Sequence, residues 1–403
     1  QVAYDVPGDL DAAIGGFISP IDLVDPRPLG RGIHDLVRGA APEADVLVHA
    51  VNLNDPAVTV AADIIAAGII LLQADESPGP FPLVPGPGDD ITVLDGIRVT
   101  STAEDVIFQA GDNINVVGDG VGIDGTVAAA GEVRFETHFG DNDLIGNITV
   151  SGIVGQDLAV PVTATTVNIF SDNEITLGGA VDGRVFSTGT TTIDAGNDGT
   201  GAIILGSLTV GSLNLGAAGL ITDDVGATVS VAVTTGISAT DGFGNVSDVT
   251  LDNATNDFGT VVATAVGNLT LVDATGFNFG TTSVSGNLSL TTTGVIGDTG
   301  VLSVVGTTTL AAGAANDIIL DSANNFGGSV TVTTANNVTL VDAFSLDLGA
   351  STVSGTLGVT APGGLTQSGA LAVAGVATIN TGASDATLAN AANTFSTVAV
   401  TGR

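Results

Sequence analysis

The chain has 403 residues, among them 57 glycines, and carries 43 acidic side chains against seven arginines and no lysine, a formal charge of −36. With so few basic groups it has no surface able to displace counterions from phosphate, so nucleic acid is excluded as a partner, and an anionic membrane surface is disfavoured for the same reason. Cys, Met and Trp are absent, so there is no disulfide framework to read and the most oxidisable side chains are missing, which suits a long-lived extracellular material.

In chain order, residues 1–88 form the first compositional block, with the only tyrosine, two of the three histidines and most of the prolines. VLVHAVNL (46–53) reads as a strand. AADIIAAGIILLQ (61–73) has a helix-like apolar face, although its Ile-rich end also fits a buried strand. The run PGPFPLVPGPG (78–88) breaks regular structure and predicts a collar, so residues 1–88 are expected to be a small mixed α/β cap or assembly region. IIAAGIILL is too short to span a bilayer, and no membrane insertion is expected.

From 89 to about 200, short alternating runs of β-branched residues are separated by Gly, Asn and Asp at uneven spacing. Such punctuation predicts many short strands. From 201 to 403 the spacing is regular and the chain copies itself: NLTLVDATGFNFG (268–280) lies on NVTLVDAFSLDLG (337–349) without a gap. Matched glycines hold that register at Gly280/Gly349, Gly286/Gly355, Gly294/Gly363, Gly300/Gly369 and Gly306/Gly375. The connecting segment recurs as LDNATNDFG (251–259), LDSANNFG (320–327) and LANAANTFS (388–396). A fixed period of this length marks a repeat architecture.

The fold expected is all-β: a parallel β-helix whose 69-residue unit makes three coils, with Val284 and Val353 at equivalent inward positions three coils apart. Stacked antiparallel hairpins or a β-sandwich are the alternative, because strand direction is not encoded in single-strand patterns. Asn253 and Asn256, Asn324 and Asn325, and Asn390 and Asn393 are expected to form amide-to-amide ladders along the axis. Phe258, Phe326 and Phe395 are expected to stack as one column.

Chemistry-bearing patterns are sparse. GDGVGIDGTV (118–127) resembles one copy of a Gly/Asp-rich calcium-binding nonapeptide, and GDND (140–143) offers further oxygen ligands. Asp119, Asp124, Asp141 and Asp143 are therefore the candidate Ca²⁺ ligands, solvated turns being the competing reading; no other cofactor is implied. Asp89 and Asp90 invite comparison with the paired carboxylates of glycosidases, but the basic and His motifs that would accompany them are missing. His34, His49 and His138 are isolated from any nucleophile motif, so no catalytic residue is assigned and the chain reads as a non-enzyme. Ile64, Ile65, Ile69 and Ile70, with Val398 and Val400 near the other end, are candidates for an end-to-end assembly interface.

The elements VSGNLSL (284–290), GVIGDTGVLSVVG (294–306), GGLTQSGALAVAG (363–375) and LDSANNFG (320–327) resemble the repeats of filamentous-haemagglutinin-like, β-strand-repeat secreted bacterial surface proteins. The likeness is good over 248–403 and weaker over 91–247. It implies a right-handed β-helix, export to the cell surface, and adhesion or matrix building with other surface components, and it transfers no catalytic residue. Three functions follow as expectations: a stiff structural or adhesive surface element, a filament subunit that self-associates head to tail, and a β-helix carbohydrate-active enzyme.

Overall fold

The structure, a computed structural model, describes residues 22–23, 46–52, 58–61, 63–76, 90–118, 124–137, 146–157, 159, 162–178, 183–196, 201–241 and 243–403. Its compact units are Gln1–Gly211 and Ser212–Arg403. Each is a parallel β-helix, and no helix occurs among the described residues.

In the first unit each coil contributes a strand to each of three ladders. One ladder runs Val46–Asn52, Ile70–Glu76, Val106–Ala110, Glu132–Glu136, Thr166–Ser171 and Thr190–Ala195. The second runs from Val58–Val60 through Ile91–Val93, Ile114–Val116, Ile148–Val150 and Ile175–Leu177 to Ile203–Leu205. The third joins Ile64–Ala66, Arg98–Ser101, Thr126–Ala129, Ile153–Val154, Arg184–Phe186 and Leu208–Val210. Every one of these pairings is parallel, so the hairpin and sandwich alternatives do not apply. Strands on both sides of residue 88 share the same ladders, so the compositional break there does not mark a change of fold among the described residues.

The helix considered for 61–73 is corrected. Ile64–Ala66 and Ile70–Glu76 are strands, because burial alternates with period two, not 3.6. Ile64, Ala66, Ile70, Leu72 and Ala74 are buried while Ile65 and Ile69 face outward. Ala67 and Gly68 make the corner between them.

An antiparallel hairpin, Gln156–Asp157 with Val162–Thr163, interrupts this unit. It leaves the coil at Gly155, whose φ of +87° suits only glycine; a Cβ there would lie 1.9 Å from the Phe186 carbonyl oxygen. The Asp157 carboxylate accepts from Thr100 Oγ1 at 2.8 Å, with both residues buried.

In the second unit, from Val249 onward, partner residues on successive coils are 18 to 23 apart. The repeat is therefore not three coils. Three coils above Leu269 lies Val330 and four above lies Leu348, all on one ladder. Val338, the repeat equivalent of Leu269, falls between them and pairs instead on the opposite ladder with Ile318 and Leu357. Ile296 and its equivalent Leu365 exchange ladders in the reverse sense. Each repeat thus advances three and a half coils, and successive repeats are turned by half a revolution.

This geometry corrects two expectations and refines a third. Val284 and Val353 are both buried and hold matching bridges, to Val266 and Ala335, but they are three and a half coils apart. Phe258 and Phe326 are buried without forming a column with Phe395, since side chains stack only when they occupy the same ladder on neighbouring coils. Phe108 and Phe135 meet that condition on paired strands of the first unit, with centroids 5.1 Å apart; Phe258 instead meets Phe277 edge-on at 6.4 Å.

Candidate functional site

The recurring segment LDNATNDFG and its copies build one arrangement three times. Asn256 and Asn324 are wholly buried. The Asn256 carbonyl accepts the backbone N–H of Val229 at 2.9 Å, and its amide donates to Asp223 Oδ2 at 2.7 Å, both on the preceding coil. Asn324 repeats this with Leu302 N–H at 2.7 Å and Asp298 Oδ2 at 2.7 Å. Asn393 repeats it with Leu371 N–H at 2.9 Å, but meets Gln367 Oε1 at 3.0 Å where the other copies have a carboxylate. An amide is suited to this place because it accepts and donates at once. The expected stacking of these asparagines on one another is corrected: half-revolution geometry puts no copy above the next, and each clamps its loop to the coil before it.

Buried carboxylates make a second set of ties. Asp273 and Asp342, at equivalent places in successive repeats, are each 1 % exposed. Asp273 Oδ2 accepts from the Phe258 N–H at 2.7 Å and Oδ1 from the Thr275 N–H at 2.8 Å. Asp342 accepts from Phe326 N–H at 2.8 Å and Phe344 N–H at 2.6 Å. Burial raises the pKa of Asp342 above the ordinary aspartate value, and the two backbone donors oppose that shift without cancelling it.

Side-chain ladders along the axis do exist, at positions the sequence reading did not choose. In the second unit, Asp248 Oδ1 accepts from Asn268 N–H at 2.7 Å, Asn268 Oδ1 from Asn287 N–H at 2.8 Å, and Asn287 Oδ1 from Thr307 N–H at 2.8 Å. The next repeat has Asp317, Asn337 and Thr356, each contact 3.0 Å. The first unit has Asp90, Asn113 and Asn147 in the same relation, each contact 3.1 Å. Aspartate begins each series. The bonds from Asn337 N–H first, and from the Asn336 and Asn337 amides, lower the pKa of Asp317. The signal was available in the sequence, since Asp248 and Asp317, like Asp273 and Asp342, recur at the repeat spacing.

Of the candidate calcium ligands, Asp119, Asp141 and Asp143 lie outside the described residues, as do Asp89, His34 and His138. Asp124 is buried and its Oδ2 meets an Arg184 guanidinium nitrogen at 3.2 Å. The structure thus brings it to a cation the sequence reading had not paired with it. Among the described residues no group of three or more His, Asp or Glu side chains is placed to hold a metal ion. Of the candidate assembly residues, Ile64 and Ile70 are core residues, and Ile65 and Ile69 are each 38 % exposed. Val398 and Val400, in the strand Thr394–Thr401, lie above the buried Ala377 and Ile379 and are 39 % and 50 % exposed. No helix among the described residues is long and apolar enough to cross a membrane.

Parallel ladders, an aliphatic interior and side-chain ties repeated at a fixed interval define a β-solenoid repeat protein. Residues 197–265, 266–333 and 335–402 match the family described as "Repeats of unknown function (DUF5649)". The chain belongs to that family. No curated protein and no solved structure matches it.

Proposed function

We propose that this chain is a non-catalytic structural element of an extracellular surface or matrix protein, a stiff spacer of the kind its likeness to filamentous-haemagglutinin-like repeats implies. The observation that carries this reading is the use made of its polar side chains. The buried Asp and Asn residues of the repeats, the groups best able to serve chemistry, hold one coil to the next through backbone N–H groups. The missing Cys, Met and Trp agree with export, and the −36 charge agrees with a heavily solvated surface.

Protease treatment of intact source cells tests the location. Loss of the protein without lysis is the expected result; protection until lysis would count against a surface role.

A further inference from the structure

The half-revolution between repeats has a consequence for what the second unit presents to its surroundings. Gly244, Gly313 and Gly382 hold one place in three successive repeats, and all have positive φ, at +86°, +82° and +60°. Space is open around Gly244 and Gly382, and around Gly313 only Asn316 Nδ2 comes near, at 3.7 Å. Each marks the same exposed turn of the repeat. The turns at Gly244 and Gly382 lead off one ladder and the turn at Gly313 off the opposite one. They therefore alternate between two sides of the unit. Those on one side are seven coils apart, about 34 Å at the usual strand spacing.

The first of these turns differs from the other two. Its coil is long, with Ile221 pairing with Val249, and an antiparallel bridge between Thr240 and Val246 closes a small projection. Asp241 Oδ1 accepts from the Phe243 and Asn245 N–H groups at 2.9 and 2.8 Å, and Oδ2 accepts from the Asn245 amide at 2.6 Å. Ser247 Oγ ties the base to the Ala218 carbonyl at 2.9 Å. The projection holds Phe243 87 % exposed, with Val246 39 % exposed. Leu220, 55 % exposed, lies on the coil beneath, where the Ile221 N–H reaches the Asp248 carbonyl. The equivalent turns carry only Ala314 and Ala315, or Ala383 and Ser384.

We propose that the projection carrying Asp241, Phe243 and Val246 is a docking tip, with Phe243 as the anchor, for a partner protein that offers an apolar pocket rimmed by Lys or Arg. The bonded turn already fixes the backbone that carries Phe243, so binding has mainly the aromatic side chain left to order, which favours a hot spot. Charge selects the partner's sign. Asp241 and Asp248 flank the tip, and no basic residue occurs between Arg184 and Arg403, so a basic rim is attracted and a second copy of this face is repelled. The inference goes beyond the spacer reading and does not depend on where the chain is located.

The test is photo-crosslinking in the full chain, in the cells it comes from, with benzoylphenylalanine in place of Phe243 and, separately, in place of Val305, another exposed position (67 %). The expected result is an adduct from position 243 alone, to a different protein, through a peptide in which apolar residues are flanked by Lys or Arg. The purified pair should then lose roughly tenfold or more in affinity on Phe243→Ala and little on Val305→Ala, with the melting temperature of the chain unchanged. No adduct, equal adducts from both positions, an adduct to another copy of this chain, or an acidic contact peptide would each overturn the proposal.

Discussion

Asn324 ties two coils together with no solvent to replace it, so Asn324→Ala exposes the worth of the clamp. The substitution leaves the Leu302 N–H, itself buried, without its acceptor at 2.7 Å, which costs about 1–3 kcal/mol. Asp298 keeps the Asp321 and Ser322 N–H donors, so loss of the amide there adds about 0.5–1.5 kcal/mol. Together these give about 3 kcal/mol, or roughly 6–12 °C in melting temperature for a unit of this size. Circular dichroism of the full chain reads it. Asn393→Ala is the internal control: it too takes the acceptor from a buried residue, the Leu371 N–H at 2.9 Å, but Asn393 is half-buried and meets the neutral Gln367, so water can replace it and the cost should be about 1 kcal/mol. Asn324→Asp keeps the acceptor but sets a second carboxylate against Asp298. Like charges so close raise one apparent pKa, so its deficit should be largest at neutral pH and shrink as the pH falls. A loss below about 0.5 kcal/mol for Asn324→Ala, the floor for a typical hydrogen bond, would refute the argument from burial, as would an equal loss for Asn393→Ala.

Thr308 is fully buried with Oγ1 unpartnered, so Thr308→Val should raise stability by about 1 kcal/mol in a denaturant melt; a loss would show that the hydroxyl has a partner. Two aspartates should respond to pH in opposite senses. Asp342, with its pKa raised by burial, weakens the fold while ionised, so wild type should gain on Asp342→Asn as the pH falls from 7 towards the ordinary carboxylate range. Asp317, with its pKa lowered by donors from Asn337 and Asn336, contributes stability above that range, so wild type should lose its advantage over Asp317→Asn as the pH falls through the depressed folded value. Paired melts across pH 3–7 decide both, and the same slope for the two would contradict the assignment.

The β-helix was legible because its causes are local. Alternating β-branched runs, glycine corners and a repeat spacing all survive in one dimension, and they locate strands such as Leu269–Asp273 and Val338–Asp342. What was not legible is what depends on the number of residues per coil. Leu269 and Val338 look interchangeable in sequence, yet they sit on opposite ladders, because one repeat closes three and a half coils. For that reason Phe258, Phe326 and Phe395 form no column, and the side-chain ladder runs through Asn268 and Asn287 in place of the asparagines of the recurring segment. Asn268 and Asn287 form the ladder because they precede paired strands at the same level, whereas Asn256 and Asn324 lie where a loop needs clamping. The helix considered at 61–73 arose because IIAAGIILL has apolar residues at helical and strand spacings alike, and only burial separates the two.

The half-revolution between repeats is tested most directly by distances between spin labels. The chain has no cysteine, so Phe243→Cys can be paired with Ala314→Cys or Ala383→Cys at exposed positions beside the three equivalent glycines. A coil of about 20 residues at ~3.3 Å each has a perimeter of about 65 Å and spans about 20–25 Å. The pair 243/383, seven coils apart on one side, should lie about 34 Å apart. The pair 243/314, three and a half coils apart across the unit, should be similar, at about 30 Å. Three coils per repeat would place all three turns on one side, with 243/314 at about 15 Å and 243/383 at about 29 Å. Nearly equal distances are the result this structure predicts, and a ratio close to two would contradict it.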